Sequence, residues 1–353
     1  MAGRRVRITS PDKPAFPGLS KAEIIDYFAA VSIRMLEHLR NRPTTLERWP
    51  DGVFPGSESF YQKHPMRGAP DFVATTSVTF PSGRQGAMLC PTEVAVIVWA
   101  AQMNTVTFHP WPSTSSHTDR PDQLRLDFDP SPGTGFPEAV KVAQMARELL
   151  AEWGWPIGCK TSGGRGVHAF VPIEPRWTFI EVRHAAIAIA RELQRRDPDL
   201  VTTSWWKEER GARVFIDFNQ AAADRTMASA YSIRANSRAT VSMPVTWDQL
   251  PDCRPEDFTV ASVLELLTRD PDPWIGVVVQ PERKADLSIA LEQWERDRAA
   301  GMPEMPYPPD FPKMPGEPLR VQPSRAAGRL RPVSAPGTAR DHRSAHHDPD
   351  ATG

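Results

Sequence analysis

The hexapeptide Leu124-Arg125-Leu126-Asp127-Phe128-Asp129 alternates apolar and charged residues, and that alternation constrains the chain more than any other feature. Successive side chains of a strand point to opposite faces, so Leu124, Leu126 and Phe128 fall on one face and Arg125, Asp127 and Asp129 on the other. The apolar face needs a covering layer. The charged face sets two carboxylates on one side, roughly 7 Å apart at their Cα atoms. Like charges so placed repel, and a divalent cation bridging them relieves the repulsion; hard oxygen ligands select Mg²⁺ or Mn²⁺ over zinc. An isolated D-x-D on a strand is more often just a solvated face, so the pair needs further residues to give it meaning.

Helix and strand signals surround this segment. Ser20 with Glu23 forms a capping box, and Ile24, Phe28, Val31, Met35 and Leu39 recur at helical spacing, which predicts an amphipathic helix ending near Arg40. Thr178 with Glu181 opens another, carried by Val182, Ile189 and Leu193 and stopped at Asp197-Pro198. Val142, Met145, Leu149 and Trp153 mark a third, ended by Gly154. Gly166 to Ile173 and Val214 to Phe218 alternate with period two and are predicted strands. Strands from several chain regions must then share a sheet with helices on its faces.

With 353 residues, 40% hydrophobic and 24% charged, the chain can build one large domain or two small ones. A net charge of −1 means that any grip on a polyanion must come from a local basic patch. Cys90, Cys159 and Cys253 are far apart and form no C-x-x-C pair, which argues against a disulfide framework or a thiolate zinc site and points to a reducing cytoplasm. No apolar run is long enough to span a bilayer, and the basic start, Met1 to Arg7, lacks the hydrophobic stretch of a secretion signal. Many of the 37 prolines crowd into Pro303 to Pro336. Such a stretch cannot offset its ordering entropy by burial, so the folded body is expected over 1–300 and a largely disordered tail over 301–353. Arg320, Arg325, Arg329, Arg331, Arg340 and Arg343 make that tail basic, either as a solvated extension or as an aid in holding a polyanion.

Two more segments carry chemistry. In Val214-Phe215-Ile216-Asp217-Phe218 a lone aspartate interrupts an apolar strand, and a buried carboxylate needs a partner. A salt bridge to Arg210 or Arg213 would serve; so would a metal, since phosphoryl transfer with two metals needs about three carboxylates converging from separate strands. In Lys160-Thr161-Ser162-Gly163-Gly164-Arg165-Gly166-Val167-His168 the glycines describe a tight turn whose backbone can approach a ligand. A plain hairpin explains the glycines but not Ser162, Arg165 and His168, which are donors suited to phosphate oxygens.

Leu126-Asp127-Phe128-Asp129-Pro130, Lys160 to His168 and Val214 to Phe218 together resemble the three motifs of the archaeo-eukaryotic primase superfamily, in the version found in the polymerase domain of bacterial DNA ligase D and its stand-alone relatives. The likeness covers most of the first 300 residues. It includes Arg48-Trp49-Pro50-Asp51-Gly52, Ser59-Phe60-Tyr61-Gln62-Lys63, His109-Pro110-Trp111, Tyr231-Ser232-Ile233-Arg234 and Pro244-Val245-Thr246-Trp247. The resemblance implies a mixed α/β (α+β) fold: a primase-like core with a central, partly antiparallel sheet, a second smaller sheet and helices outside.

It further implies a metal-dependent nucleotidyltransferase, a template-directed polymerase that fills short gaps in DNA repair or end joining and accepts ribonucleotides. Asp127, Asp129 and Asp217 would be the catalytic residues and bind Mn²⁺ or Mg²⁺. His109, Ser162, Arg165, His168, Arg210 and Arg234 would hold the incoming nucleoside triphosphate, although His109 beside Trp111 also fits a core histidine. Lys13 and Lys21 would recognise a 5′-phosphate on gapped or broken duplex DNA, with Phe60, Tyr61 and Lys63 also on the DNA. Adjacent strand residues point to opposite faces, so only one of Phe60 and Tyr61 should meet a base. Arg165 stands where the family often has lysine, and the segment between Lys13 and Lys21 is shorter than in ligase-fused enzymes. No K-x-D-G nucleotidyl-lysine motif is present, so sealing would require a separate DNA ligase. The expected protein is a soluble, cytoplasmic monomer. The competing expectation is a non-catalytic module that binds DNA ends and recruits a ligase.

Overall fold

The structure is a computed structural model that describes residues 3–324. The chain divides into Met1–Pro318 and Leu319–Gly353, and the elements below belong to the first unit. A hairpin of β1 (Pro14–Phe16) and β2 (Leu19–Ser20) leads into α1 (Lys21–Leu39), then β3 (Thr44–Arg48), β4 (Phe60–Gln62), β5 (Thr75–Thr79) and β6 (Gln85–Leu89). Next come α2 (Val94–Gln102), β7 (Thr105–Pro110), β8 (Gln123–Pro130), α3 (Phe136–Glu152), β9 (Gly158–Thr161) and β10 (Val167–Pro172). The rest is α4 (Phe179–Arg196), β11 (Val201–Thr202), β12 (Val214–Ile216), β13 (Pro244–Val245), α5 (Val260–Leu266) and α6 (Ser288–Ala299).

Two larger sheets result. The six-stranded one runs β11-β12-β8-β10-β9-β13, with β11 parallel to β12 and every other pair antiparallel. The five-stranded one runs β4-β3-β6-β5, with β7 also paired to β3. This is the mixed α/β class with a second, smaller sheet that the sequence implied.

The alternating hexapeptide is the middle of β8. Leu124, Leu126 and Phe128 are wholly buried beneath α3 and α4, each contributing roughly 1.5–3 kcal/mol by leaving water. The opposite face is not uniformly solvated. Arg125 is buried, its guanidinium donating to the carbonyls of Pro110 and Trp111 at the end of β7 and to Gln123 Oε1. Two of its four hydrogen bonds thus tie the β7 end to the six-stranded sheet.

The capping boxes at Ser20 and Thr178 open α1 and α4 as predicted, each hydroxyl accepting from the backbone N–H of the glutamate three residues on. The third helix starts earlier than its apolar stripe suggested, at Phe136, because Glu138 reaches back to the Gly135 N–H. β12 stops one residue before Asp217, which caps a short 3-10 turn, Phe218–Ala221, instead of lying inside the strand.

The expected boundary at Ala300 also needs correction, since the compact unit runs to Pro318. Arg183, on the buried face of α4, donates to Glu304 and to the carbonyls of Met305 and Pro306, and His184 meets the other oxygen of Glu304 at 2.8 Å. Met305 and Pro306 belong to no helix or sheet, so their carbonyls can accept from Arg183. The other basic-tail residues, Arg325, Arg329, Arg331, Arg340 and Arg343, lie outside the described residues, as does the rest of 325–353.

Replacing Glu304 by alanine should leave the Arg183 guanidinium buried without its carboxylate. Urea unfolding should then show a loss of about 3 kcal/mol. A variant as stable as the parent would mean that the strap does not hold α4.

Candidate active site

The pairing of β8 with β12 places the three aspartates. Phe215 lies opposite Asp129 and Ile216 opposite Phe128, and one residue further the Asp217 N–H donates to the Asp127 carbonyl at 2.9 Å. Asp127 and Asp129 share one face of β8, so two carboxylates from that strand and one from the turn after β12 come to one end of the sheet. Neither Arg210 nor Arg213 comes within ion-pairing distance of Asp217. Its oxygens accept instead from Asn219 N–H and Gln220 Nε2, each at 3.0 Å. Arg213 is spent on the carbonyls of Glu209 and Arg210.

Asp127 bears the strain of this arrangement. Burial, then the charges of Asp217 and Asp129, push its carboxyl up to about 8, against an ordinary 3.8. Asp217 is raised too, again first by burial. Among the described residues no three acidic, histidine or cysteine side chains are already drawn together as a closed metal cage. The donor set nevertheless suits a hard divalent ion: carboxylate oxygens only, mutually repelling, with the Asp129 side chain half exposed at the mouth.

Cationic and polar groups line the same end. His168 on β10 stands opposite Asp127, with Nε2 3.5 Å from Oδ1. The Ser162 hydroxyl accepts from the N–H groups of Gly164 and Gly166, both at 3.1 Å, which leaves its own proton to donate outward. Two glycines are required here. A Cβ on Gly166 would stand 2.6 Å from the Phe128 carbonyl oxygen, and one on Gly163, whose φ is +70°, would stand 2.5 Å from Arg234 Cγ. Arg234 therefore lies directly across the loop, and its guanidinium makes no hydrogen bond or ion pair among the described residues. Arg210 is anchored to the carbonyls of Ser204 and Trp205, with its head 3.6 Å over the Phe215 ring and 3.8 Å from Asp129.

His109 comes from the other sheet, on β7, and its electrostatic neighbours include Arg234 and Lys160. It is buried, but its partner is Glu47 on β3, 3.1 Å from Nε2, and Tyr61 packs on its ring at 5.5 Å. Arg165 is the outlier of the set. Its guanidinium binds the Pro130 carbonyl and it lines a separate cleft of about 780 Å³ with Phe136, Lys141, Gln144 and Arg254.

The remaining sequence-derived residues form a second basic corner. Lys21 is buried against Thr9 O and Gln102 Oε1, and Lys13 binds Pro50 O and Asp51. Burial lowers the Lys21 pKa, and the charges of Lys13 and Arg48 lower it further, so three cations share this corner. Phe60 and Tyr61 do point opposite ways: Phe60 lies under the Arg48 guanidinium at 4.9 Å, Tyr61 against His109. Lys63 pairs with Asp224 at 2.7 Å and sits over Phe80.

A family model described as the LigD primase-polymerase domain matches residues 20–274. The chain belongs to the LigD primase-polymerase family. It is 30% identical over 88% of its length to the multifunctional non-homologous end joining protein LigD of Mycolicibacterium smegmatis, and 32% identical over 76% to that of Pseudomonas aeruginosa. It spans 40% and 32% of those two proteins. Its fold is similar, with a TM-score of 0.71 at 29% identity, to the polymerase domain of Mycobacterium tuberculosis ligase D in complex with DNA, over 77% of this chain and 98% of that one.

Two residues of this LigD-type domain escaped sequence reasoning. Glu47 carries a carboxylate into the cationic cluster, where His109 and the Trp49 indole N–H hold it. Lys160 is wholly buried behind His168, and burial drives its pKa well below the ordinary lysine value. It lies in a four-residue strand with no exposed position, a burial that nothing in the local sequence signals.

The raised Asp127 pKa has a sign. Between about 4 and 8 the folded chain keeps a proton that the unfolded chain has lost, so this residue makes stability fall as pH rises through that window. Asp127→Asn cannot ionise. In the absence of divalent ions its thermal midpoint should exceed the parent's by a few degrees at pH 8, the gap closing toward pH 4. A variant less stable at pH 8 would show that the three carboxylates do not repel.

Proposed function

We propose that this chain is a metal-dependent polymerase that extends a DNA 3′ end across a short gap or break. The observation that carries the reading is the meeting of Asp127, Asp129 and Asp217 opposite Ser162, His168 and Arg234. A module that only bound DNA ends would have no use for that pairing of carboxylates with phosphate donors.

Asp127, Asp129 and Asp217 would hold Mn²⁺ or Mg²⁺, which when bound supplies charge neutralisation at the α-phosphate and lowers the pKa of the attacking 3′-hydroxyl. Arg234, whose guanidinium has no hydrogen-bond or ion-pair partner among the described residues, would take the triphosphate, and the Ser162 O–H and the His168 Nε2–H would donate to its oxygens. These donors are fixed before the nucleotide arrives, so little reorganisation is needed as pyrophosphate leaves. His109 and Arg210 reinforce the positive field from either side, and Arg165 serves from the cleft beside the loop. Tyr61, on the His109 side of β4, is the better placed of the two aromatic residues to meet the nucleotide or the templating base. Phe60 goes with Lys13, Lys21 and Arg48, a corner suited to a 5′-phosphate.

The partners on this reading are gapped or broken DNA, nucleoside triphosphates including ribonucleotides, and a DNA ligase activity to seal the product. The free thiols of Cys90, Cys159 and Cys253 support a reducing, cytoplasmic setting. No helix among the described residues is long and apolar enough to cross a membrane.

Purified protein with Mn²⁺ should extend a primer across a gap bearing a 5′-phosphate. Asp127→Asn with Asp129→Asn should abolish incorporation while leaving DNA binding intact. Arg234→Ala should raise the nucleotide KM roughly tenfold or more, the equivalent of one charge-assisted hydrogen bond of about 1.5–3 kcal/mol. Lys13→Ala should erase any preference for a 5′-phosphate over a 5′-hydroxyl. Absence of incorporation with both ribo- and deoxyribonucleotides, alongside unchanged binding in the double variant, would leave only the end-binding module standing.

A further inference from the structure

Three neighbouring strands carry one polar row across the sheet. Lys160 on β9 lies opposite His168 on β10, and His168 opposite Asp127 on β8. The Lys160 Nζ is 2.7 Å from His168 Nδ1 and bonds the Ser242 hydroxyl. No carboxylate reaches it within ion-pairing distance among the described residues. A fully buried amine with no counter-charge is costly, and nothing in the proposed nucleotide chemistry touches it.

The row has one direction that satisfies every member. The Ser242 hydroxyl donates to the Thr161 carbonyl at 2.9 Å, so toward Lys160 its oxygen offers only lone pairs. Asp127 holding a divalent ion would be ionised and would then also only accept, so the imidazole nitrogen facing it must bear hydrogen in that state. That nitrogen is Nε2. Nδ1 then has a lone pair, and Lys160 must donate to it. The reverse arrangement would press an Nε2 lone pair against a carboxylate.

We infer that Lys160 is a positioning residue, which locks His168 into the Nε2–H tautomer so that this ring always presents a neutral donor to the Asp127 side of the site. A histidine oriented by a buried hydrogen bond behind it is a general device for fixing which ring nitrogen faces a reactive centre. Here the orienting group is a lysine, supplied by the first residue of the glycine-loop segment. The tautomer follows from these contacts with Asp127 ionised; its use in holding a nucleotide rests on the function proposed above.

The test reads the tautomer directly. Protein labelled with ¹⁵N-histidine is examined by two-bond ¹⁵N–¹H correlation with Mg²⁺ present and no nucleotide, and His168 is assigned by the signal lost in His168→Gln. The wild type should show the Nε2–H pattern, and Lys160→Met, which keeps the chain length without the donor, should show a mixture or the Nδ1–H form. In Mn²⁺-supported extension, Lys160→Met should raise the nucleotide KM about tenfold with DNA affinity unchanged, and Lys160→Gln, which restores a donor, should recover part of it. An Nδ1–H pattern in the wild type overturns the inference, even if Lys160→Met fails to fold. So does a Lys160→Met spectrum or KM equal to wild type. A wild type that shows Nε2–H but polymerises nothing would sink the proposed function and leave the tautomer assignment intact.

Discussion

Antiparallel pairing of β8 with β12 forces three carboxylates to one end of a sheet, and the repulsion among them is the constraint to which the surrounding structure answers. The backbone bond from Asp217 N–H to the Asp127 carbonyl fixes their approach. The apolar face of β8, sealed under α3 and α4, prevents the strand from rotating to relieve it. A row of fixed charges that destabilises the ligand-free fold is a common signature of a site shaped for something other than stability.

The answer comes as cations held by neutral groups. Arg210 is gripped by two carbonyls and an aromatic face, Arg125 by carbonyls and an amide, Lys160 by a hydroxyl and an imidazole. Among the described residues Arg125 and Lys160 have no ion pair, and Arg210 has only the 3.8 Å approach to Asp129, so positive potential persists at this end of the sheet. Glu47 is the exception. Its carboxylate, near Arg234 and bonded to His109, tempers that field and fixes which nitrogen of His109 faces away from it.

Much of this was legible in the sequence where local rules apply. The alternation in β8, the capping boxes of α1 and α4 and the glycine turn each follow from side-chain period or backbone conformation. The second sheet came only through family resemblance: β4 spans three residues, too few to show a period, while β7 does alternate, Thr105, Thr107 and His109 against Val106 and Phe108, yet is buried at every position. Asp217 was placed inside a strand because its neighbours are apolar, yet its side chain caps the following turn. The strap over 303–318 was misread for a related reason: composition registers few large apolar residues but cannot register that Arg183, more than a hundred residues earlier, needs carbonyl acceptors. Lys160 and Glu47 were missed because burial of a charge is decided by tertiary packing.

The shortness of β4 has a mechanical consequence. It is an edge strand of three residues whose register against β3 sends one ring to the histidine side and the next to the arginine side. A slip of one residue would exchange the two rings, unstacking both corners at once. The eleven-residue connection, 49–59, that precedes it therefore acts as a gauge: inserting or deleting a single residue there would disturb the Arg48 corner and the His109 corner together.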